Sequence, residues 1–174
     1  MVSVIIPVYI NSPEILDLLS DCVASLVGCD ELILQFDKTG EGFSKTVNKG
    51  VARSHGDYIA IMNDDTRMLD GSLKDYCKPN TICRPTIVGE PGKFALVVMP
   101  RTVWDLVGGL DEDFHIGFYE DKLFLDIAKE KGVGLEDINL RLWHKGHATI
   151  SNMGDVKELL AINKKIYKKK KGWL

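Results

Sequence analysis

The first third of the chain alternates between short apolar runs and longer stretches in which apolar residues recur at helical spacing. Residues 2–9 form a nearly continuous apolar run rich in β-branched side chains, which is typical of a strand buried on both faces of a parallel sheet. Two shorter runs follow at 31–36 and 57–62, and helix-compatible stretches at 13–26 and 44–55 separate the three runs. This order of strand, helix, strand, helix, strand predicts a doubly wound α/β fold.

The rest of the chain has a less regular pattern. Residues 78–93 contain three prolines and two glycines, which predicts a loop with a short strand near 86–88. The remaining predicted elements are a strand over 94–99, a short helix over 101–107, a helix over 120–131, a strand over 140–143 and an amphipathic helix over 155–171.

Polar residues follow each of the first three predicted strands. Tyr9 ends the first strand, Asp37 follows the second, and Asp64 and Asp65 come soon after the third. Ligands of doubly wound sheets bind beyond the carboxyl ends of the strands. The pattern therefore predicts a binding site at this edge of the sheet.

Three groups of residues carry side chains suited to chemistry, and each also has a plainer interpretation. Asp64 and Asp65 offer oxygen ligands for Mg²⁺ or Mn²⁺, although aspartates are equally common in turns. Glu120 and Asp121 open a predicted helix, where an acid also simply complements the helix dipole. His144 lies near the end of a predicted strand, where a histidine is more often a packed residue than a ligand. Spacing alone leaves these alternatives open.

Composition and charge narrow the class of protein. The chain has 174 residues, 45% of them hydrophobic and 27% charged, which predicts one globular domain. Its four cysteines form no C-x-x-C pair, so neither a disulfide framework nor a zinc knuckle is expected. No apolar run is long enough to span a bilayer, and no basic segment of a signal peptide follows Met1. We therefore expect a cytoplasmic protein.

The charge is unevenly distributed. Residues 164–174 carry six lysines and no acid, and without those lysines the net charge falls from −3 to −9. An acidic body argues against nucleic-acid binding, which needs a basic face. The lysines themselves fit either a solvated helix end or a weak contact with an anionic membrane surface.

Five short motifs follow one another along the chain, namely GFSKTVNKG (42–50), GDYI (56–59), NDDT (63–66), GGLDE (108–112) and GFYED (117–121). Together with the opening run SVIIPVY (3–9), they resemble the family 2 glycosyltransferases of the GT-A fold. The resemblance is strongest to the members that are similar to rhamnosyl- and galactofuranosyltransferases, and the opening run is similar to the first strand of that family. The resemblance spans residues 2–150. Leu123 and Ile127 stand where the family commonly has Asp and Arg.

The resemblance implies a fold and a reaction. The fold would be a Rossmann-like, doubly wound and mostly parallel sheet with helices on both faces. Residues 1–150 would form the catalytic domain that binds a nucleotide sugar, with residues 151–174 as a lysine-rich amphipathic helix packed on it. The reaction would move a sugar, with inversion, from a nucleotide-diphosphate sugar to an acceptor hydroxyl.

The resemblance also implies roles for individual residues. Asp65 and His144 would bind the metal, Mn²⁺ or Mg²⁺, and Asp121 would be the general base, with Glu120 beside it holding the acceptor. The residues implied to bind the nucleotide sugar are Pro7 and Tyr9 at the nucleoside, Asp37 at the imide of uracil or thymine, Asn48, and Asp64 at the ribose or sugar.

Partners and alternatives follow from the same comparison. The donor would carry UDP or dTDP in preference to GDP, and the acceptor would be a glycan or a lipid-linked molecule. A peripheral contact with the inner face of the membrane through the C-terminal lysines would suit a lipid-linked acceptor. The main alternative is a non-catalytic module that keeps the fold and binds nucleotide sugars. A nucleotidyltransferase is disfavoured, because residues 9–15 contain no glycine and no basic residue.

Overall fold

A computed structural model describes residues 1–89, 94–146 and 156–173. Within these residues the chain forms a seven-stranded sheet with helices on both of its faces. The elements are β1 (Val2–Val8), α1 (Pro13–Ala24), β2 (Glu31–Phe36), α2 (Phe43–Ala52), β3 (Tyr58–Met62), β4 (Thr66–Met68), a 3₁₀ turn (Leu73–Tyr76), β5 (Thr81–Gly89), β6 (Leu96–Pro100), α3 (Arg101–Val107), α4 (Glu120–Glu130), β7 (Gly134–His144) and α5 (Val156–Lys170).

The strand order in the sheet is β2-β1-β3-β6-β5-β7-β4. Strands β1, β2, β3, β5 and β7 run in one direction, while β6 and β4 are antiparallel to their neighbours. The sheet is thus mostly parallel, and the predicted fold class is confirmed.

The core lies on both sides of the sheet because alternate residues of each central strand point to opposite faces. Val4 and Ile6 of β1 pack on the same side as Leu19 of α1, whereas Ile5 packs on the other side with Val47 of α2. Helices α3 and α4 contribute to this second cluster as well. Since α1 and α2 cover opposite faces, the carboxyl ends of β1 and β3 are where ligands are expected to bind in such a sheet.

The pairing of β1 with β3 ends before the last residues of β1. The two strands are in register from Val2 to Ile5, and the last pair joins Ile5 to Ile61. Pro7 lies beyond that last pair, still paired with Gln35 of β2 on the other side. A proline lacks a backbone N–H, so it suits a position where the ladder to β3 has already ended.

The strand predicted over 94–99 is confirmed by β6, but the sequence-based prediction was wrong for the other strands of the second half. Instead of a loop with a short strand near 86–88, β5 is a nine-residue strand, and β7 has eleven residues where only 140–143 was expected. Strand β4 was not predicted. The two long strands pair with each other, and the register between them shifts after Pro85. In β7 the buried Ile138, Leu140 and Leu142 alternate with exposed residues, so no continuous apolar run marks the strand.

Helix α5 contacts the rest of the chain through a small cluster. Tyr167 is buried together with Phe114 and Leu123, and Ile166 and Ile127 pack against them. Asn163 is fully buried on the same side of the helix. The predicted boundary after residue 150 lies outside the described residues.

Four of the six C-terminal lysines are exposed, namely Lys164, Lys165, Lys169 and Lys170, and two of the six pair with acids. Lys170 forms ion pairs with Asp111 and Asp113, and Lys171 pairs with Glu130. Among the described residues, no helix combines the length and the apolar character needed to cross a membrane.

Candidate active site

The structure brings Asp65 and His144 together, although they are far apart in the sequence. Asp65 lies in the short connection between β3 and β4, directly before Thr66, the first residue of β4. Thr66 is paired with His144 of β7, so Asp65 lies next to His144 in space. The imidazole Nε2 of His144 lies 3.3 Å from Oδ1 of Asp65, and both side chains are buried. The backbone N–H of Lys145 donates a hydrogen bond to the carbonyl of Asp65, at 3.1 Å. These two contacts join the connection between β3 and β4 to the end of β7.

Asp64 is buried beside this pair and keeps one oxygen available. Its Oδ2 has no hydrogen-bond partner among the described residues, while the backbone N–H of Tyr9 donates to its carboxylate. Burial, with a further contribution from the charge of Asp65, raises the pKa of Asp64 to about 7. A buried carboxylate oxygen without a partner is costly, so it points to a ligand that would complete the site.

The donor set at this edge fits a hard divalent cation. Carboxylate oxygens are suitable ligands for both Mn²⁺ and Mg²⁺, whereas the neutral imidazole suits a transition-metal ion such as Mn²⁺ better than Mg²⁺. Across residues 1–89, 94–146 and 156–173, however, no three His, Cys, Asp or Glu side chains are arranged to hold a metal ion together. A cation held by Asp65 and His144 would therefore need most of its ligands from the substrate or from water.

The loop after β2 is built around the carboxylate of Asp37. Its Oδ1 accepts hydrogen bonds from the backbone N–H groups of Thr39, Gly40 and Glu41, and its Oδ2 accepts one from Gly42 at 2.9 Å. Burial alone would raise the pKa of Asp37, but the four donors outweigh it and lower the pKa. Oδ2 accepts one hydrogen bond while Oδ1 accepts three, so Oδ2 is the oxygen that can accept another. The predicted contact of Asp37 with a base imide stays a prediction.

Glu120 and Asp121 occupy the first turn of α4. Glu120 is 5% exposed, and its Oε2 has no hydrogen-bond partner in the described part of the chain. Burial, reinforced by the charge of Asp121, raises the pKa of Glu120 to about 8. Asp121 is only half-buried, and its Oδ1 accepts a hydrogen bond from the backbone N–H of Lys122 at 2.6 Å. At neutral pH Glu120 therefore keeps its proton, and Asp121 is the more accessible of the two acids.

The two positions that depart from the family motif have a structural explanation. Leu123 is buried against Phe114 and Tyr167, and Ile127 packs at the edge of the same cluster. Both face α5. Charged Asp and Arg side chains at these positions would have to be buried under that helix.

Asn48 connects α2 to the turn at 108–112. Its Nδ2 donates to the carbonyl of Leu110 and to Oε1 of Glu112, at 2.8 Å each, and its Oδ1 accepts from the N–H of Leu110 at 3.0 Å. Gly109 is left-handed at φ +80°, and a Cβ there would lie 3.1 Å from Oδ1 of Asn48. Asn48 thus orders this turn, and its predicted contact with a nucleotide sugar stays a prediction.

Asn163 is a residue that sequence reasoning gave no role. It donates from Nδ2 to backbone carbonyls of the segment directly before Glu120. The available signal was its position, because a lone amide in the apolar stripe of α5 requires buried hydrogen-bond partners.

No protein-family model matches this chain, and neither does any curated protein sequence. Solved structures do resemble it. TarS of S. aureus, residues 1–349, has a TM-score of 0.61 and 13% identity over 93% of this chain and 64% of that chain. The mannosyltransferase PcManGT from Pyrobaculum calidifontis, in complex with GDP-Man and Mn²⁺, has a TM-score of 0.62 and 12% identity over 82% of this chain and 56% of that one.

A third similar structure is the catalytic domain of Drosophila beta1,4galactosyltransferase 7 in complex with xylobiose. It has a TM-score of 0.60 and 16% identity over 78% of this chain and 63% of that one. The chain thus spans between 56% and 64% of the length of these three structures. At such identities the likeness concerns the fold, and the chain has the GT-A fold of these glycosyltransferases.

Proposed function

We propose that this protein is an inverting glycosyltransferase that moves a sugar from a nucleotide-diphosphate sugar to an acceptor hydroxyl. The observation that carries the proposal is the meeting of Asp64, Asp65 and His144 at the carboxyl edge of a GT-A sheet. The similar solved structures include complexes with GDP-Man and Mn²⁺, with UDP-Gal and manganese, and with UDP. A nucleotide sugar is accordingly the donor class that we assign to this chain.

Asp65 and His144 would hold Mn²⁺ or Mg²⁺, with oxygens of the donor diphosphate as further ligands. A cation held there would supply positive charge to neutralise the departing diphosphate. Asp64, whose Oδ2 is available and buried, would accept a hydrogen bond from a hydroxyl of the ribose or the sugar. The two adjacent aspartates would thus bind different partners, Asp65 the cation and Asp64 a hydroxyl group.

Asp121 would act as the general base. As the acceptor oxygen bonds to the anomeric carbon, the carboxylate of Asp121 takes the proton of that hydroxyl. The bond from the anomeric carbon to the diphosphate breaks, and its electron pair leaves with the phosphate. The first turn of a helix favours the ionised carboxylate that this role requires. Such proton transfer contributes roughly 10²–10⁴ to the rate.

Glu120 would hold the acceptor from the other side. With a pKa of about 8 it is protonated at neutral pH, so it can donate a hydrogen bond to an acceptor oxygen while Asp121 accepts one. The acceptor would be a glycan or a lipid-linked molecule.

The nucleoside would lie against Pro7 and Tyr9 at the end of β1. Oδ2 of Asp37, on the neighbouring loop, would accept the imide N–H of uracil or thymine, which favours UDP or dTDP over GDP as the carrier. This assignment needs only the hydrogen-bonding capacity that the loop leaves on Asp37.

The proposal is tested by thermal shift with UDP-, dTDP- and GDP-sugars, each with Mn²⁺ and with EDTA. A bound donor at 100 times its dissociation constant should stabilise the protein by about 2.7 kcal/mol. We expect stabilisation only with the metal, with Asp65→Ala unresponsive and the exposed Asp17→Ala behaving as the wild type. Equal stabilisation in EDTA would contradict the metal site, and no response to any donor would contradict the proposed function.

The second candidate is the non-catalytic binding module. It is favoured by Leu123 and Ile127, which pack against α5 at positions where the resembling family commonly has Asp and Arg. Slow hydrolysis of the bound donor separates the two candidates. An enzyme releases nucleoside diphosphate in the presence of Mn²⁺, whereas a binding module leaves the donor intact.

A further inference from the structure

The segment directly before Glu120 has an uncommon backbone conformation. Ile116 has φ +62°, and both Phe118 and Tyr119 have φ +73°. Residues other than glycine rarely adopt positive φ values, and they keep them only where the surroundings hold the backbone in place. Tyr119 is also the residue from which α4 starts. The direction of the first turn of α4, and hence of Glu120, depends on this segment.

One side chain from α5 holds most of the segment. Asn163 is fully buried, and its Nδ2 donates to the carbonyls of His115, Gly117 and Phe118 at 3.0, 2.5 and 3.2 Å. Its Oδ1 accepts a hydrogen bond from the backbone N–H of His115 at 3.1 Å. A single amide therefore serves three carbonyls and one N–H of the segment 115–118.

The other side of the segment is held by the start of α2. The backbone N–H of Phe43 donates to the carbonyl of Ile116 at 2.7 Å. Gly42 fits so closely that an added Cβ would lie 3.0 Å from Cα of Ile116. The segment is thus clamped between the loop of Asp37 and helix α5.

We propose that Asn163 is a positioning residue for the reaction, and this rests on the proposed function. By holding the segment 115–118 it fixes the left-handed turn at Tyr119 and, through it, the carboxyl groups of Glu120 and Asp121. Helix α5 then belongs to the catalytic centre through a residue that touches neither substrate. The alternative is that Asn163 only fastens α5 to the body of the protein.

The decisive variant is Asn163→Asp. It keeps the size of the side chain and an oxygen for the N–H of His115, but it removes the donor that serves the three carbonyls. Tyr167→Phe is the matched control on the same helix. It removes the hydrogen bond from the Tyr167 hydroxyl to Asp126 and keeps the ring that packs 5.5 Å from Tyr119.

Two measurements are made on the full chain at a temperature where all variants are folded. The first is hydrolysis of UDP-galactose and GDP-mannose with Mn²⁺. For Asn163→Asp we expect kcat to fall by about 100-fold with the donor KM unchanged, because a small displacement of a catalytic group has an effect of this size. The second is amide hydrogen exchange of residues 113–121, which we expect to become faster in Asn163→Asp and to stay unchanged in Tyr167→Phe.

Wild-type kcat in folded Asn163→Asp would overturn the proposal, and so would equal losses of kcat in Tyr167→Phe. If Asn163→Asp does not fold, Asn163→Ser replaces it, since serine keeps one donor and should give an intermediate kcat. A wild-type chain that hydrolyses neither donor would contradict the proposed function. The exchange measurement would then decide separately whether Asn163 holds the segment, and unchanged exchange in Asn163→Asp would show that it does not.

Discussion

The two acidic pairs of this protein resemble each other in sequence and differ in their surroundings. In each pair one carboxyl is buried and has an oxygen without a hydrogen-bond partner among the described residues, namely Asp64 in the first pair and Glu120 in the second. The second acid of each pair, Asp65 or Asp121, has different surroundings in the two pairs. Asp65 is buried and faces the imidazole of His144, whereas Asp121 is half-buried at the start of a helix.

This difference separates two kinds of chemistry. A buried aspartate and an imidazole, 3.3 Å apart, suit a shared cation. A protonated Glu120 beside a more accessible Asp121 suits proton transfer and the orientation of a hydroxyl. Adjacent carboxylates in a sequence therefore do not define one type of site, because the secondary structure that ends or begins at them decides what they can bind.

The largest effect is expected from Asp121→Asn. The substitution keeps the shape and removes the base, so transfer to an acceptor or to water should fall by roughly 10²–10⁴ while donor binding persists. Measuring kcat alongside donor affinity tests this, with the exposed Asp105→Asn as the control. A loss of less than about twofold would make Asp121 an acid that only stabilises the helix, because an Asp-to-Asn change at a helix end has little effect.

The next effect concerns the first pair. Asp65→Ala should abolish the Mn²⁺-dependent stabilisation by a donor, which for the wild type is about 2.7 kcal/mol at 100 times the dissociation constant. His144→Ala should weaken it, whereas Asp121→Asn should leave it intact. If Asp121→Asn abolished the stabilisation as well, the two pairs would share one role and the comparison would fail.

The pH dependence of stability distinguishes the second pair. Glu120 keeps its proton in the folded protein up to a pKa of about 8, while its ordinary value is 4.5. The unfolded chain thus loses this proton first, and the free energy of unfolding should fall as the pH rises from 4.5 to 8.

Glu120→Gln should remove this part of the slope. Between pH 4 and pH 8, the stability of the variant relative to the wild type should therefore increase by on the order of 4 kcal/mol. Urea denaturation at both pH values measures the effect, with the exposed Glu130→Gln as the control. If the free energy of unfolding changed with pH in the same way for the wild type and Glu120→Gln, burial would not raise the pKa of Glu120.

The smallest effect concerns the side of the molecule on which a lipid-linked acceptor would arrive. Helix α5 packs near the second pair, and its exposed Lys164 and Lys165 would contribute about 1 kcal/mol each to binding an anionic vesicle. Lys170 and Lys171 are already paired with acids and should contribute less. Co-sedimentation with phosphatidylserine vesicles should therefore drop more for Lys164→Ala/Lys165→Ala than for Lys170→Ala/Lys171→Ala. Binding that neither change reduces would exclude the membrane contact.

The sequence predicted the first half of the fold because β1 and β3 are buried on both faces and appear as continuous apolar runs. It failed at β5 and β7, which alternate or are largely exposed, and at Pro85, which stands inside a strand where a register shift accommodates it. Pattern alone found the polar strand ends. The roles proposed for Asp65 and His144 came from the family resemblance.

Asn163 shows why the rest of the site could not be predicted. Its partners are backbone carbonyls that lie 45 to 48 residues away in the sequence. A backbone carbonyl has no residue type, so no motif marks it. The burial of an amide can be predicted from an apolar stripe, but its partner segment cannot.

The register shift between β5 and β7 has a consequence for how the protein tolerates insertions. Pro85 is opposite Ile138, and the next residue, Thr86, is opposite Arg141, so β7 gains two residues over its partner. An even number preserves the parity of the strand, and Leu142 and His144 stay on the inward face with Ile138. A single inserted residue at the same place would turn His144 outward and Trp143 inward. Length changes in this strand should therefore be acceptable only in steps of two.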